Sequence, residues 1–327
     1  MKITNRLPGI ALAALIAVPA WLLGMLFPVV GSPVLGILFG MLLAPLKRPA
    51  VLESGITYTS RKLLQYSIVL LGFDMNLFQV FRVGGQTLSL MAFTLTAAFL
   101  TAYLVGRLLK VDGKTGTLIG VGTAICGGSA IAAAAPVIDA DDEDVAQSIS
   151  TIFLFNVIAA FLFPFLGHLM NMSDYSFGLW AGTAVNDTSS VVAAGYTFSS
   201  AAGDLAVIVK LTRTLMIVPV TLALALFTSR KKASRGGYPF VKIFPWFVLG
   251  FAAACVIGTF APMPAGSGKL LSQIGKFVIV MAMAAIGLNT DLKKLVKKGG
   301  KPILLGLCCW AVLSVTSLAV QHFLFAV

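Results

Sequence analysis

The sequence is short of charge. Lysine, arginine, aspartate and glutamate together number 24 + 12 = 36 of 327 residues, 11% of the chain, less than half the roughly 25% of soluble domains. No polar stretch is long enough to fold alone, because the longest, from Thr228 to Lys242, is only a loop. A soluble catalytic or nucleic-acid-binding domain is thereby excluded despite a net charge of +12. Only two histidines are present, His168 and His322, and neither has a second histidine or a carboxylate at useful spacing. The four cysteines, Cys126, Cys255, Cys308 and Cys309, all lie in apolar stretches without metal-ligand spacing, so neither a zinc site nor a disulfide framework is indicated. The sequence lacks HExxH, a phosphate loop and any nucleophile with a paired base. These absences predict no enzyme activity, no cofactor, no metal and no nucleic-acid partner.

What is present is apolar: 58% of residues are hydrophobic. At about 20 residues per membrane-spanning helix and roughly 8 per connection, the chain is long enough for about 11 or 12 spans. Apolar runs between charge clusters predict eleven, near residues 8–30, 33–46, 62–80, 86–106, 115–137, 146–170, 175–197, 204–228, 243–261, 269–289 and 302–326. The fold class is therefore an all-α polytopic membrane protein, a single transmembrane domain over residues 1–327 embedded in the lipid bilayer. Lys2 and Arg6, followed by an apolar run and Val18-Pro19-Ala20, have the outline of a signal peptide. The run continues to Val30, however, so a retained first helix is expected.

With a cytoplasmic amino terminus, 19 of the 24 basic residues fall on the inner side, Arg61, Lys62, Lys110 and Lys114 among them. Arg82 and Lys269 face outward, whereas Lys210, Arg213 and Lys276 lie within spans. The positive-inside rule thus places the carboxyl terminus outside. On this count the acidic run Asp139 to Asp144 lands on the outer side as a solvated loop.

Sliding the chain against itself gives an internal match. At an offset of 215, Leu71-Gly72-Phe73-Asp74-Met75-Asn76-Leu77 faces Ile286-Gly287-Leu288-Asn289-Thr290-Asp291-Leu292, and Gly84-Gly85 faces Gly299-Gly300. At 214, Val34-Leu35-Gly36 faces Val248-Leu249-Gly250. Spans two to four (33–106) thus correspond to spans nine to eleven (243–326), and the odd separation makes the copies run in opposite directions, as in the inverted repeats of secondary transporters. A second match, at an offset of 60, aligns Gly122 to Ser129 with Gly182 to Ser189. Those two segments run parallel under eleven simple crossings, which conflicts with inversion unless one is re-entrant or the order is permuted.

Both of these segments carry small and polar residues where a lipid-facing helix carries leucine. Cys126-Gly127-Gly128-Ser129 lowers helix propensity, and Asn186-Asp187-Thr188-Ser189-Ser190 places five polar side chains at membrane depth. Such backbone survives only against protein or a wet cavity. An interrupted helix offers free N–H groups at the start of its second half, which suits an anion. Tight packing through small residues is the structural alternative. Lys210 and Arg213, three apart on one helical face, need a buried partner, and Asp187 is the acid best placed to supply it. Two cations against one carboxylate leave an excess positive charge for a transported anion. The candidate substrate-binding residues are therefore Cys126, Gly127, Gly128, Ser129, Asn186, Asp187, Thr188, Ser189, Ser190, Lys210 and Arg213. Lys276 is expected to snorkel to the interface, and Asp74, Asn76, Asn289 and Asp291 to mark helix ends.

These residues resemble the YeiH family of bacterial inner-membrane proteins, for which sulfate export is the nominal activity and which is related to the cation/proton antiporter and bile-acid symporter superfamily. The resemblance runs from about Gly36 to Leu305, through Val69 to Phe73, Gly122 to Ala132, Gly182 to Gly195, Val209 to Arg213 and Met281 to Leu288. It implies crossed, interrupted helices at a central site, a core bundle moving against a scaffold, and sulfate or a related oxyanion as substrate. The chain departs from the family pattern at Asn186, where a histidine is expected before the acid. Coupling through Asp187 or through a proton or sodium ion, or no coupling at all, stays open, as does a homodimeric assembly. The functional expectation is a secondary transporter, an exporter of small inorganic or organic anions such as sulfate or sulfonates. An anion channel and a sodium- or proton-coupled symporter of an organic anion are its rivals.

Overall fold

A computed structural model of the chain describes residues 6–26, 32–229, 246–261, 263–264, 266–290 and 300–325. Among these residues every regular element is helical. The first helices are α1 (Leu7–Leu26), α2 (Ser32–Leu43), α3 (Ala50–Tyr58), a π-helical turn (Thr59–Leu63), α4 (Leu64–Gly72) and α5 (Leu77–Leu108). The centre of the chain forms α6 (Gly113–Ala124), α7 (Gly128–Ala134), α8 (Asp142–Leu169), α9 (Asp174–Ala184), α10 (Thr188–Phe198), α11 (Ser200–Leu215) and α12 (Ile217–Ser229). Three more close the fold: α13 (Trp246–Phe260), α14 (Ser267–Leu288) and α15 (Gly300–Phe325). Six helical stretches among the described residues are long and apolar enough to cross a membrane, and three shorter apolar helices accompany them. The chain is a polytopic membrane protein, with helix in each of the eleven expected apolar segments.

Helix starts follow from local chemistry. Asn76, Asp112, Asp141, Ser173, Asp187 and Ser199 each accept a backbone N–H from the first turn of the helix they precede, satisfying donors that a helix leaves orphaned. Asn76 thus marks a helix end as expected, and Asn289 is the C-cap of α14. Asp291 lies outside the described residues.

The helices sort into two bundles. One contains α1, α2, α3–α4, α13 and α14, and the other α5 to α12 with α15. Close backbone approach holds the first together: a methyl added at Gly40 of α2 would sit 2.2 Å from the Ala284 carbonyl of α14, the small-residue contact typical of membrane helices. Gly72 and Gly287, which the internal match aligns, meet corresponding neighbours. A Cβ on Gly72 would meet Phe251, Ala254 and Cys255 of α13, and one on Gly287 would meet Ile37, Gly40 and Met41 of α2. Ile37 corresponds to Phe251, Gly40 to Ala254 and Met41 to Cys255 under the same shift that aligns Val34 with Val248. The end of α4 lies beside the start of α14, where the Phe73 carbonyl is 2.8 Å from a Cβ built on Gly268, so α4 and α14 run antiparallel.

Two of the expected spans double back. The Lys114 Nζ at the start of α6 donates to the Asp139 carbonyl beyond the end of α7 at 2.6 Å. One straight helix over the same segment would hold those residues apart by more than the thickness of the hydrocarbon core. The α6–α7 pair is therefore a re-entrant hairpin whose two ends lie at the same end of the bundle. The α9–α10 pair is a second one: the Ser199 hydroxyl donates to Asp174 Oδ1 at 2.6 Å, and the Phe177 and Phe198 rings stack with centroids 4.0 Å apart. Because α8 connects them across the bundle, the hairpins enter from opposite ends. This resolves the parallel-segment conflict, since two re-entrant segments replace two parallel crossings.

One expectation changes with it. The acidic run shares an end with Lys110 and Lys114 rather than the opposite end. There it serves as helix-start chemistry: Asp141 and Asp144 form a capping box for α8, and Asp144 Oδ1 accepts the Thr115 hydroxyl of α6 at 2.6 Å. The Asp144 backbone N–H holds the Asp141 carboxyl below its ordinary pKa. Re-entrance also explains why hydropathy misplaces the run, as each hairpin leaves the number of later loops unchanged but reverses the side of the loop that follows it.

In a cysteine-free background, Lys110→Cys and Glu143→Cys should react with a membrane-impermeant maleimide from one face, and Asn171→Cys and Ser200→Cys from the other. Labelling of positions 110 and 143 from opposite faces would contradict the hairpin.

Candidate functional site

The hairpin tips meet in the middle of the bundle. A Cβ built on Gly127 would lie 3.6 Å from both Asp187 Cβ and Asn156 Nδ2, and the Asp187 N–H donates to Asn156 Oδ1 at 3.1 Å. Asn156 stands halfway along α8 (Asp142–Leu169). The α6–α7 chain reverses because Gly127 adopts φ +71°, ψ −127°, a left-handed conformation that a side chain would strain.

Each hairpin begins with a helix that stops inside the membrane, and such an end leaves carbonyls without partners. Lys210 and Arg213 supply them. The Lys210 Nζ donates to the Ile125 carbonyl at 2.9 Å and to the Val185 carbonyl at 3.0 Å, tying the two tips together. The Arg213 Nε donates to the Ala124 carbonyl at 2.7 Å, and its terminal nitrogens donate to the carbonyls of Thr183 and Thr123. Both side chains are fully buried. Their spacing in sequence correctly puts them on the same face, but the expected pairing with Asp187 is not what the structure holds. The salt bridge between described residues is Arg48–Glu53, at the periphery; Lys210 and Arg213 bond to carbonyls instead. Two helix C-termini carry about −0.5 charge each, and Asp187 adds a full negative charge nearby, so the two cations are roughly balanced without an ion pair.

The second halves of the hairpins face a cavity of about 550 Å³ between the two bundles. Gly128 and Ser129 of α7 and Asp187, Thr188 and Ser189 of α10 line it on one side, with Asn156 at the back. Arg61, Gln65, Phe247 and Asn289 line the other. Phe247 begins α13 and Asn289 ends α14, so the cavity opens at the end of the bundle where Lys110 and Lys114 lie. Asp187 Oδ2 accepts the Ser189 N–H at 2.9 Å and the Ser189 hydroxyl, which caps α10.

Of the residues singled out from sequence, Gly128, Ser129, Asp187, Thr188 and Ser189 reach this cavity. Cys126, Gly127, Asn186, Ser190, Lys210 and Arg213 do not line it. Cys126, Asn186 and Ser190 are buried, and both polar atoms of the Asn186 amide lack a partner among the described residues. Asn156, Gln65 and Arg61 are site residues that sequence reasoning misses. Arg61 reads as part of a loop because the polar residues Ser54, Thr57, Thr59 and Ser60 interrupt the apolar run. The helix begins instead at Ala50, which puts Arg61 at the midpoint of the helical stretch from Ala50 to Gly72. A mid-sequence asparagine such as Asn156 is the one available signal, since an amide at membrane depth needs a partner.

Arg213→Ala should leave the carbonyls of Thr123, Ala124 and Thr183 unpaired and destabilise the fold by about 3 kcal/mol or more. Arg213→Lys should restore only part of this, because an ammonium lacks the planar fork. Thermal unfolding in detergent measures both, and an unchanged midpoint for Arg213→Ala would contradict the capping role.

Comparison with known proteins fits this architecture. A family profile described as conserved hypothetical protein 698 matches residues 8–306. A UPF0324 membrane protein of Fusobacterium nucleatum is 46% identical over 98% of this chain and 99% of its own length. UPF0324 membrane proteins of Streptococcus pyogenes serotype M6 and Streptococcus mutans are 50% and 48% identical, covering 97% and 98% of each chain respectively. No solved structure matches.

Proposed function

We propose that this chain, which belongs to the conserved hypothetical protein 698 family of UPF0324, YeiH-type membrane proteins, is a secondary transporter of small anions working by alternating access. The observation that carries the reading is the meeting of two oppositely directed hairpin tips at a cavity between two bundles. Irregular backbone at membrane depth is tolerated beside such a cavity, and broken helices around a central site are the recurring device of secondary transporters. The matching contacts of Gly72 with α13 and of Gly287 with α2 support an inverted repeat. In that arrangement one half can adopt the other's conformation and open the site to the opposite side.

The chemistry of the cavity favours an anion. Ser129 and Thr188 present hydroxyls and Gln65, Asn156 and Asn289 present amides, all able to donate to oxyanion oxygens. Its one acid among the described residues, Asp187, is held at the start of α10 by two donors from Ser189. Substrates to compare first are sulfate, sulfite, thiosulfate and sulfonates, and the nominal direction is export. The charge distribution favours a cytoplasmic amino terminus, an external carboxyl terminus and an inward-facing cavity. Against a channel, the cavity ends at a centre closed by buried Cys126, Asn186 and Lys210. A lining of hydroxyls and amides, without a histidine or lysine beside a nucleophile among the described residues, favours transport over enzymatic chemistry.

In proteoliposomes the purified protein should take up one or more of these oxyanions with saturation, and Ser129→Ala should raise KM about three- to tenfold. Flux that never saturates would favour the channel, and absence of flux for every anion in the panel would overturn the reading.

A further inference from the structure

Three cations sit in the middle of helical stretches without serving the hairpin tips, and of these Lys62 lies outside the large cavity and donates to Gln65 Oε1 at 3.5 Å. Arg61 is at the midpoint of the helical stretch from Ala50 to Gly72, and Lys276 is near the middle of α14. A lysine or arginine at the centre of a transmembrane helix costs about 2.5–3.5 kcal/mol on insertion scales, so it is retained for a reason. Arg61 is exposed within the large cavity, and its side chain makes no hydrogen bond or ion pair to a described residue. The π-helical turn Thr59–Leu63 carries it, and such insertions are frequent at functional sites.

The positions of Arg61 and Lys276 are related. The shift that aligns Gly72 with Gly287 also takes Arg61 to Lys276. The relation extends to the cavities. Arg61, Leu64 and Gln65 line the cavity of about 550 Å³ at one end. Lys276, Ile279 and Val280, the same three positions in the other repeat, line a smaller one of about 280 Å³ at the other end, facing Thr197 and Ser199 at the open end of the α9–α10 hairpin. The Lys276 Nζ there lies 5.1 Å from the centroid of the Tyr196 ring, and the Tyr196 hydroxyl donates to Asp204 at 2.6 Å. The larger cavity is thus open around its cation, while the smaller one has its cation folded against an aromatic face. The expected snorkelling of Lys276 is replaced by this cation–π contact.

We infer that Arg61 and Lys276 are a repeat-related pair of anion-binding cations, Arg61 engaging the substrate when the site faces one side and Lys276 when it faces the other. The inference rests on the transport reading above. Both residues belong to the bundle of α1 to α4, α13 and α14, while the hairpins belong to the other. An anion held between a cation of one bundle and the hydroxyls of the other would therefore bridge the two. Exchange of the two halves swaps which cation is uncovered. The charge expected from sequence in Lys210 and Arg213 is then supplied from the opposite wall.

The test uses right-side-out and inverted membrane vesicles containing the full chain, with sulfate flux measured from each side. Arg61→Gln should raise KM about tenfold or more from the side its cavity faces, Lys276→Gln should do so from the other, and the conservative swaps Arg61→Lys and Lys276→Arg should restore most of the loss. Arg107→Gln, a surface change away from the large cavity, should leave both values alone. Unaltered KM from both sides in both glutamine variants, or an effect of both on the same side, would overturn the pairing even where wild-type flux is saturable. Lack of wild-type flux would instead overturn the transport reading. Sulfate-dependent thermal stabilisation provides the second readout. A correctly folded Arg61→Gln protein should lose the shift seen in wild type, and its retention would count against Arg61.

Discussion

Five backbone carbonyls at the centre of the membrane need donors, and Lys210 and Arg213 supply them. Helices α6 and α9 stop where no water is available, and an unpaired carbonyl there is expensive. Two cations three residues apart on α11 reach both helix ends from one face, so a single helix fixes the positions of two hairpins. Everything near the centre depends on that. The tips can approach because their carbonyls are drawn toward α11, and their second halves are thereby left to start beside the cavity. A carboxylate partner would have satisfied the charges but not the carbonyls.

Much of this is legible from sequence because it is written in hydropathy and helix propensity. The apolar runs locate the helical segments apart from α3 (Ala50–Tyr58), and Gly127-Gly128 and Asn186 to Ser190 mark the breaks. The reversal at each break is less accessible, because a broken span and a hairpin have the same composition. What distinguishes them is a tertiary contact, Lys114 to Asp139 in one case and Ser199 to Asp174 in the other. Sidedness assigned by counting loops fails at that point, which is why the acidic run changes ends.

Arg61 shows a different limit. The first half of its helix carries Glu53, Ser54, Thr57, Thr59 and Ser60, so an average over a window reads the segment as a loop, although Ser60 and Arg61 line the cavity. Residues that line a wet site inside a membrane are the ones most easily mistaken for surface. Lys210 and Arg213 are recognisable as buried charges needing partners. Their partners are not, since backbone carbonyls leave no trace in the sequence. The internal sequence match is more informative than either, as it aligns Gly72 with Gly287, which meet corresponding neighbours, and Arg61 with Lys276, which line the two cavities. Comparable chemistry at the two ends is what the proposed alternating access requires.

The most direct measurement is a cryo-electron microscopy structure of the protein in a lipid nanodisc, at a resolution that shows side chains. The chain should reverse at residues 125–127 and again at 185–187, with density joining the Lys210 ammonium to the carbonyls of Ile125 and Val185. A continuous helix from residue 113 to 137, or a Lys210 directed at Asp187 and away from both carbonyls, would contradict the central arrangement.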